Sequence, residues 1–207
     1  MLRKATAKDY VAYCEDAGCL VNLAGRYDYL ELPYYISQDL ENSGNQVRPS
    51  CREMLDAYVS PLFLSKAKLA GLAVPENYIT NGNFEPPVIV DTVNPFMQRS
   101  SIVLKSGRQS RVAKSMTRNY TYAICCQELP PGGQVKYFRS VMGWCVSRRF
   151  RELSERVWSI FGIPLARVRV VVLQGGETLL SQVAQLPFER LNRRELAYLQ
   201  GKIQWGK

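Results

Sequence analysis

The chain contains no histidine, and this absence removes several kinds of active site at once. Histidine is the most frequent general base and a frequent metal ligand, and it completes the Ser-His-Asp and Cys-His catalytic arrangements. An enzyme built on this sequence has to use Asp, Glu, Lys, Tyr or Cys instead. The absence therefore lowers the expectation of a free-standing enzyme.

Other signatures are missing as well. No C-x-x-C pair occurs among the six cysteines, so the sequence predicts free thiols and no metal site. Neither G-x-G-x-x-G nor the G-x-x-x-x-G-K-[ST] phosphate loop is present. No apolar run reaches the roughly 18 residues of a membrane helix, and no signal-like segment follows the first basic residues. We expect a cytoplasmic protein with no membrane contact.

What the sequence does contain is enough apolar material for a proper core, together with a localised positive charge. Its 207 residues are 46% hydrophobic and carry a net charge of +9. Residues 92–127 hold six basic side chains and no acidic one, which accounts for +6 of that charge. Basicity confined to one stretch indicates a specific anionic partner or a positive cleft.

The pattern of strands and helices predicts an α/β fold. An N-terminal strand-helix-strand unit is expected from the apolar run at 19–24, Pro33 at a helix start, Gly44 as its stop and a strand near 46–50. A β-rich middle follows, and then a C-terminal β-α-β-β unit around a helix at 147–162. We expect one mixed-sheet domain over 1–207, with 74–135 a possible basic insertion and 192–207 a terminal helix and tail.

Tyrosines are concentrated after the first predicted strand, in AGRYDYLELPYY. Ligands of open α/β sheets bind at the carboxyl ends of strands. Arg26, Tyr29, Tyr34 and Tyr35 are therefore candidates for a ligand cleft. The alternative is that these rings only pack the following helix.

The basic stretch offers a second candidate site. Arg and Lys separated by hydroxyl residues suit phosphate oxygens, and a nucleic-acid backbone, a nucleotide or an acidic peptide would all fit. The alternative is a solvated basic loop. The residues of this predicted anion or nucleic-acid patch are Arg99, Lys105, Arg108, Arg111, Lys114 and Arg118.

Two segments resemble the RimK-like ATP-grasp N-terminal domain. The first, over about 19–60, carries an Arg-Tyr pair, a paired Tyr at a helix start, a Gly and a Pro-Ser, which are here Arg26, Tyr29, Tyr34, Tyr35, Gly44, Pro49 and Ser50. The second, over about 136–191, has a strand, a basic helix, a Pro-Leu turn and a basic-alternating strand that closes on Leu-Pro.

The resemblance implies a domain that accompanies an ATP-grasp ligase, which joins an amino acid to a carboxylate through an acyl phosphate. No segment resembles the ligase part, so we expect a non-catalytic accessory domain that positions substrate for an ATP-grasp ligase chain or domain. ATP and Mg would then belong to that partner, with no catalytic residue and no cofactor in this chain.

Two other functions remain open from the sequence. The first is a small basic RNA- or DNA-binding protein that uses residues 99–122. The second is a free-standing enzyme that uses Tyr and Arg, with Cys51 as an outside candidate nucleophile because it sits at a predicted helix start, where a thiol pKa tends to fall.

Overall fold

The computed structural model describes residues 10–29, 31–94 and 100–205. Within them the chain is a mixed α/β protein of six α-helices and eleven strands, which confirms the predicted fold class. None of the described helices has the length and apolar character needed to cross a membrane. The strands are β1 (Val11–Cys14), β2 (Cys19–Asn22), β3 (Val47–Arg48), β4 (Asn77–Thr80), β5 (Val88–Thr92), β6 (Ser101–Leu104), β7 (Ile124–Glu128), β8 (Gln134–Val141), β9 (Leu165–Val172), β10 (Thr178–Gln185) and β11 (Gln204–Trp205). The helices are α1 (Leu32–Asn42), α2 (Cys51–Tyr58), α3 (Ser60–Leu69), α4 (Gln109–Met116), α5 (Arg151–Phe161) and α6 (Arg193–Gln200).

Contacts group the chain into two compact units, where the sequence suggested one domain. The first unit takes the residues up to Tyr58, then 138–168 and those from Val183 onward. The second takes 59–137 and 169–182, and so contains all of the suggested insertion, 74–135. The described strands also include a three-stranded sheet of order β10-β9-β8.

The first unit is built on the predicted strand-helix-strand element. Its sheet has the order β11-β1-β2-β3, in which β2 and β3 are parallel and β1 pairs antiparallel with both of its neighbours. Pro33 lies in the first turn of α1, where its missing N–H costs nothing. A buried cluster that includes Val21, Leu23 and Leu165 forms the core of this unit.

The S-x-x-E spacing at 50–53 and the N-x-x-E spacing at 192–195 predict two capping boxes, and both are present. The Ser50 N–H donates to Glu53 Oε2 at 2.8 Å, and the Glu53 N–H donates to Ser50 Oγ at 3.1 Å. Asn192 and Glu195 exchange the same two bonds before α6. Each box satisfies backbone donors that a helix start leaves unpaired, so these two starts are fixed by local sequence.

The second unit contains the antiparallel sheet β4-β7-β5-β6. Strand β5 is buried along its whole length, and a core cluster that includes Val88, Val90 and Ile124 packs on α4 through Val112, Ala113 and Met116. The sequence analysis did not predict helix α4, because QSRVAKSM offers only this narrow apolar stripe. Strand β4 lies in the segment 74–87, whose three prolines and one glycine predict a loop, so that prediction is wrong over Asn77–Thr80.

A buried ion pair links distant strands inside the second unit. Arg169 on β9 makes two bonds to Asp91 on β5, Nη1 to Oδ1 at 3.0 Å and Nη2 to Oδ2 at 2.6 Å, and both side chains are at most 1% exposed. Arg169 Nε donates to Ser181 Oγ at 2.8 Å. The carboxylate also accepts from Gln127 at 2.7 Å and from Gln182 at 3.2 Å. Every charged nitrogen and oxygen atom of the pair thus has a hydrogen-bond partner, as burial requires.

Removing one partner of this pair leaves a buried charge without compensation. We expect Arg169→Met to lower the free energy of unfolding by about 3–5 kcal/mol, as measured by urea denaturation. Arg167→Met, two residues earlier on the same strand but exposed, serves as the control and should cost less than about 1 kcal/mol. The double change Arg169→Met with Asp91→Leu should recover much of the loss. Equal effects at 167 and 169 would contradict this account.

Substitution of two glycines distinguishes the free-energy cost of a side chain on a left-handed backbone from the cost of a steric clash with neighbouring atoms. Gly25 (φ +73°) and Gly44 (φ +80°) both lie where side chains are disfavoured. A Cβ on Gly25 would sit 1.9 Å from the carbonyl oxygen of Leu186, whereas one on Gly44 would meet nothing within 4 Å. We expect Gly44→Ala to cost about 1–2 kcal/mol of unfolding free energy and Gly25→Ala clearly more. Equal losses in parallel denaturation curves would show that the close approach at Gly25 has no energetic weight.

Candidate functional site

Three of the predicted cleft residues lie together at the start of α1. The rings of Tyr29 and Tyr34 meet edge-on with centroids 5.3 Å apart, and those of Tyr34 and Tyr35 do so at 5.8 Å. Tyr29 and Tyr35 are 37% and 41% exposed, whereas Tyr34 is buried between them. The group is called here the tyrosine cluster (Tyr29, Tyr34 and Tyr35). Two of its residues are partly exposed to solvent and pack against the third, which is buried.

Asn22 fixes the position of this cluster. It ends β2 and is fully buried, and its amide donates to the carbonyl of Pro33 at 2.9 Å and to Ser37 Oγ at 3.1 Å. Its side-chain oxygen accepts the N–H of Ala24 at 3.2 Å. One amide thus joins the end of the strand to the first turns of α1. Sequence reasoning missed Asn22, because nothing local distinguishes it from a turn residue.

Tyr27 and Arg26 have other roles. Tyr27 is buried, donates its hydroxyl to the Asn22 carbonyl at 2.7 Å and packs on Tyr58. Arg26, the fourth predicted cleft residue, is exposed and pairs with Glu189 at 2.7 Å. An exposed pair of this kind contributes little stability, so the guanidinium can be redirected to a ligand at small cost.

Cys51 is not an activated nucleophile. Burial, together with the Glu41 carboxylate, raises the pKa of its thiol to about 11. Its backbone N–H, at the start of α2, donates to Glu41 Oε2 at 3.0 Å, so this carboxylate lies against the helix start that was expected to lower the pKa. Burial also raises the pKa of the neighbouring Tyr34 to about 12, which keeps its hydroxyl protonated.

The basic stretch forms a strand-loop-helix element in the second unit. Arg99 lies outside the described residues; Lys105, Arg108, Arg111, Lys114 and Arg118 are all exposed. Gly107 and Arg108 take left-handed conformations with φ near +60° and lead into α4. No side chain caps α4, and its first turn has no acidic residue. Backbone donors and cations at such a helix start are suited to a phosphate.

The remaining cations extend from this loop along one side of α4. Arg108, Arg111 and Lys114 follow one another at intervals of three, which places them on neighbouring turns. Arg118 opens a turn of three consecutive left-handed residues, Arg118–Tyr120, with φ of 49°, 62° and 67°. Thr117 holds that turn, since its Oγ1 accepts the Tyr120 N–H at 2.7 Å and donates to the Ala113 carbonyl at 2.6 Å.

A cleft lies beside the start of α4. It encloses about 370 Å³, within the range of small-molecule sites. It is lined by Gly82, Asn83, Phe84, Glu85, Gln109, Ser110, Ala113 and Tyr120. The element formed by residues 105–108, the start of α4 and this cleft is called the phosphate loop below. It is different from the G-x-x-x-x-G-K-[ST] loop, which the sequence lacks.

Carboxylates do not gather into a metal site in the described part of the chain. Over residues 10–29, 31–94 and 100–205, no group of three or more Cys, Asp or Glu side chains is arranged to hold a metal ion. Asp91 is already saturated by Arg169, Gln127 and Gln182. These residues do not fit a carboxylate-bound magnesium ion.

Solved structures with a similar fold include ligases and ATP-grasp proteins. A D-alanine-D-alanine ligase from Helicobacter pylori is 15% identical, with a TM-score of 0.60 over 84% of this chain and 67% of that one. A RimK domain ATP-grasp protein from Sphaerobacter thermophilus is 18% identical, with a TM-score of 0.55 over 82% and 72%. The ATP-grasp ligase PsnB, solved with precursor peptide PsnA2 and AMPPNP, is 16% identical, with a TM-score of 0.50. The match covers 81% of this chain and 61% of PsnB.

These matches correct the expected accessory role. That expectation assumed a chain that resembles only the domain in front of a ligase. The fold instead matches 67% and 72% of the length of two ligase chains, so the likeness is not confined to a leading segment. The interpretation as a non-catalytic accessory domain is therefore wrong.

The family is shown by the sequence itself. Curated proteins give no significant match to the chain. The RimK-like ATPgrasp N-terminal domain, however, matches residues 7–202, which is nearly the whole chain and includes the stretch between the two segments that first suggested it. The chain belongs to the RimK-like ATPgrasp N-terminal domain family.

Proposed function

We propose that this chain binds the phosphate groups of a nucleotide at its phosphate loop, as part of an ATP-dependent ligase that acts on a peptide. The observation that carries the proposal is the strand-loop-helix element at 101–116. Lys105 precedes a left-handed turn at Gly107 and Arg108, and this turn leads into an uncapped helix start without acidic residues. Two cationic side chains thus lie close in sequence to the free backbone donors of a helix start, a combination that suits phosphate.

The adjoining cleft supplies the rest of a nucleotide site. Its volume of about 370 Å³ suits a nucleoside. Tyr120 offers an aromatic ring that is 44% exposed, and Asn83 and Glu85 offer polar groups for a base or a ribose. Tyr120, the last residue of the left-handed turn, lines this cleft.

Comparison supports a nucleotide and a peptide together. PsnB was solved with AMPPNP and a precursor peptide, and it shares the fold. In the present chain, Arg111, Lys114 and Arg118 extend the positive surface beyond the phosphate loop, which suits an acidic peptide.

The proposal assigns the nucleotide to this chain, whereas the sequence analysis assigned ATP and Mg to a partner. Direct titration of nucleotide decides between the two. No carboxylate cluster supports a metal in the described residues, so the proposed contacts are cationic side chains and backbone N–H groups. A cytoplasmic location belongs to the same proposal.

AMPPNP binding, measured by isothermal titration calorimetry, tests the phosphate loop. Lys105→Glu and Arg108→Glu should each weaken binding at least tenfold, because a hydrogen bond to a charged group contributes about 1.5–3 kcal/mol and 1.4 kcal/mol is tenfold. Lys136→Glu, an exposed charge reversal in the same unit, is the matched control and should change affinity less than about threefold.

Other outcomes separate the alternatives. Undetectable AMPPNP binding at millimolar concentration, with an ATP-grasp ligase co-purifying, would return the nucleotide to a partner. A different outcome is that the chain binds single-stranded RNA with an affinity that falls steeply with salt and that the same two substitutions weaken. That result would favour the nucleic-acid-binding function that uses residues 99–122. An equal loss of AMPPNP affinity in Lys136→Glu would show that the effect comes from the overall positive charge and not from the phosphate loop.

A further inference from the structure

Two cysteines face each other across the first hairpin of the first unit. Strands β1 and β2 pair antiparallel with Cys14 directly opposite Cys19. The four residues between them close in a turn in which the Gly18 N–H donates to the Glu15 carbonyl at 3.1 Å. Directly opposed residues project to the same face of a sheet, so both thiols point to one side.

The hydrogen-bond pattern fixes the spacing of this pair. The Leu23 N–H donates to the Tyr10 carbonyl at 2.8 Å, which makes Tyr10 and Leu23 a hydrogen-bonded pair. Such pairs alternate along an antiparallel ladder, so Cys14 and Cys19, four residues further along, are again hydrogen-bonded. Cα atoms in these pairs are about 5.5 Å apart, inside the 4.4–6.8 Å that a disulfide spans.

The other four cysteines have no such partner. All six cysteines lie within the described residues and are free thiols. Cys125 and Cys126 are adjacent on β7, so their side chains leave on opposite faces. Opposite them in the sheet stand Asp91 with Ile79, and Val90 with Tyr78. Cys51 begins α2 and Cys145 follows β8, so neither lies in a strand.

Both thiols adjoin open space although they belong to the core. Cys14 and Cys19 are 1% and 5% exposed and share one apolar cluster. Cys19 lines a polar cleft of about 580 Å³, and Cys14 lines another of about 270 Å³. Ala17 and Arg48 line both clefts, so the hairpin forms a wall shared by the two. Each cysteine of the pair therefore borders a cleft, although its exposed area is small.

We propose that Cys14 and Cys19 form a reversible disulfide across the β1–β2 hairpin. With a low-molecular-weight disulfide such as oxidised glutathione, one thiolate attacks a glutathione sulfur, forms a mixed disulfide and releases one reduced glutathione. The second thiolate then displaces the remaining glutathione. Two protein thiols and one glutathione disulfide give one protein disulfide and two reduced glutathiones.

The environment sets the pace of this reaction. Burial raises the pKa of Cys19 above its ordinary value, while the nearby Arg48 opposes that rise. Only thiolates attack disulfides, so oxidation should be slow at neutral pH and faster as the pH increases. A bond across a hydrogen-bonded pair that closes so short a loop gains little from chain entropy, so reductants should remove it readily.

Peptide mapping of the folded full chain tests the proposal. The protein is equilibrated in glutathione buffers of increasing oxidised fraction, quenched in acid, alkylated and digested. We expect a linked peptide that contains Cys14 and Cys19, a loss of two hydrogen atoms from the intact mass, and a fall from six free thiols to four. Reduced glutathione should restore all six.

Substitutions give the matched controls. Cys14→Ala and Cys19→Ala should each abolish the linked peptide, whereas Cys125→Ala, which removes an equally buried thiol from β7, should leave it unchanged. The map of the unmodified chain needs no variant, so a substitution that fails to fold does not undermine the test. Six alkylated thiols after equilibration at the most oxidising ratio, or a disulfide that involves any other cysteine, would overturn the proposal.

Discussion

The ion pair between Arg169 and Asp91 is the constraint on which the second unit depends. Neither charge can be buried unless every donor and acceptor around it is satisfied, since an uncompensated charge costs several kcal/mol. Satisfying them requires Gln127 from β7 and Ser181 and Gln182 from β10. Residues 169–182 are distant in sequence from 91–127, yet these bonds admit one register for them within the unit. The pair therefore specifies which strands come together more than it adds stability.

In the first unit, a buried uncharged side chain joins separate elements in the same way. The Asn22 amide joins the end of β2 to the Pro33 carbonyl and to Ser37, and its oxygen holds the backbone that leaves the strand. Because each bond is made inside the protein, a small displacement of α1 would leave a buried donor or acceptor unpaired. The tyrosine cluster stands on the first turns of that helix and inherits its position. The position of the cluster is thus fixed by a residue that does not belong to it.

Sequence reasoning succeeded where a signal is local. The capping boxes at Ser50 and Asn192, Pro33 in the first turn of α1 and Gly162 at the end of α5 need only a few neighbouring residues. Sequence reasoning failed where tertiary contacts determine whether a residue is buried or which element it joins. Arg167 and Arg169 project to the same side of β9, yet one is exposed and the other buried, and no pattern along the strand distinguishes them. The grouping of the tyrosines was predictable for the same local reason, whereas helix α4 and the role of Asn22 were not.

The same distinction applies to the assembly of each unit, because both units are built from stretches that are separated in the sequence. The surface charge of the second unit also depends on a contact between residues that are distant in sequence. Asp91, the acidic residue that immediately precedes the basic segment, is neutralised internally by Arg169, so it does not offset the cations outside. Because the buried pair carries no net charge, the exposed cations along α4 are not offset from inside the unit, and at physiological ionic strength their fields extend over about 8 Å.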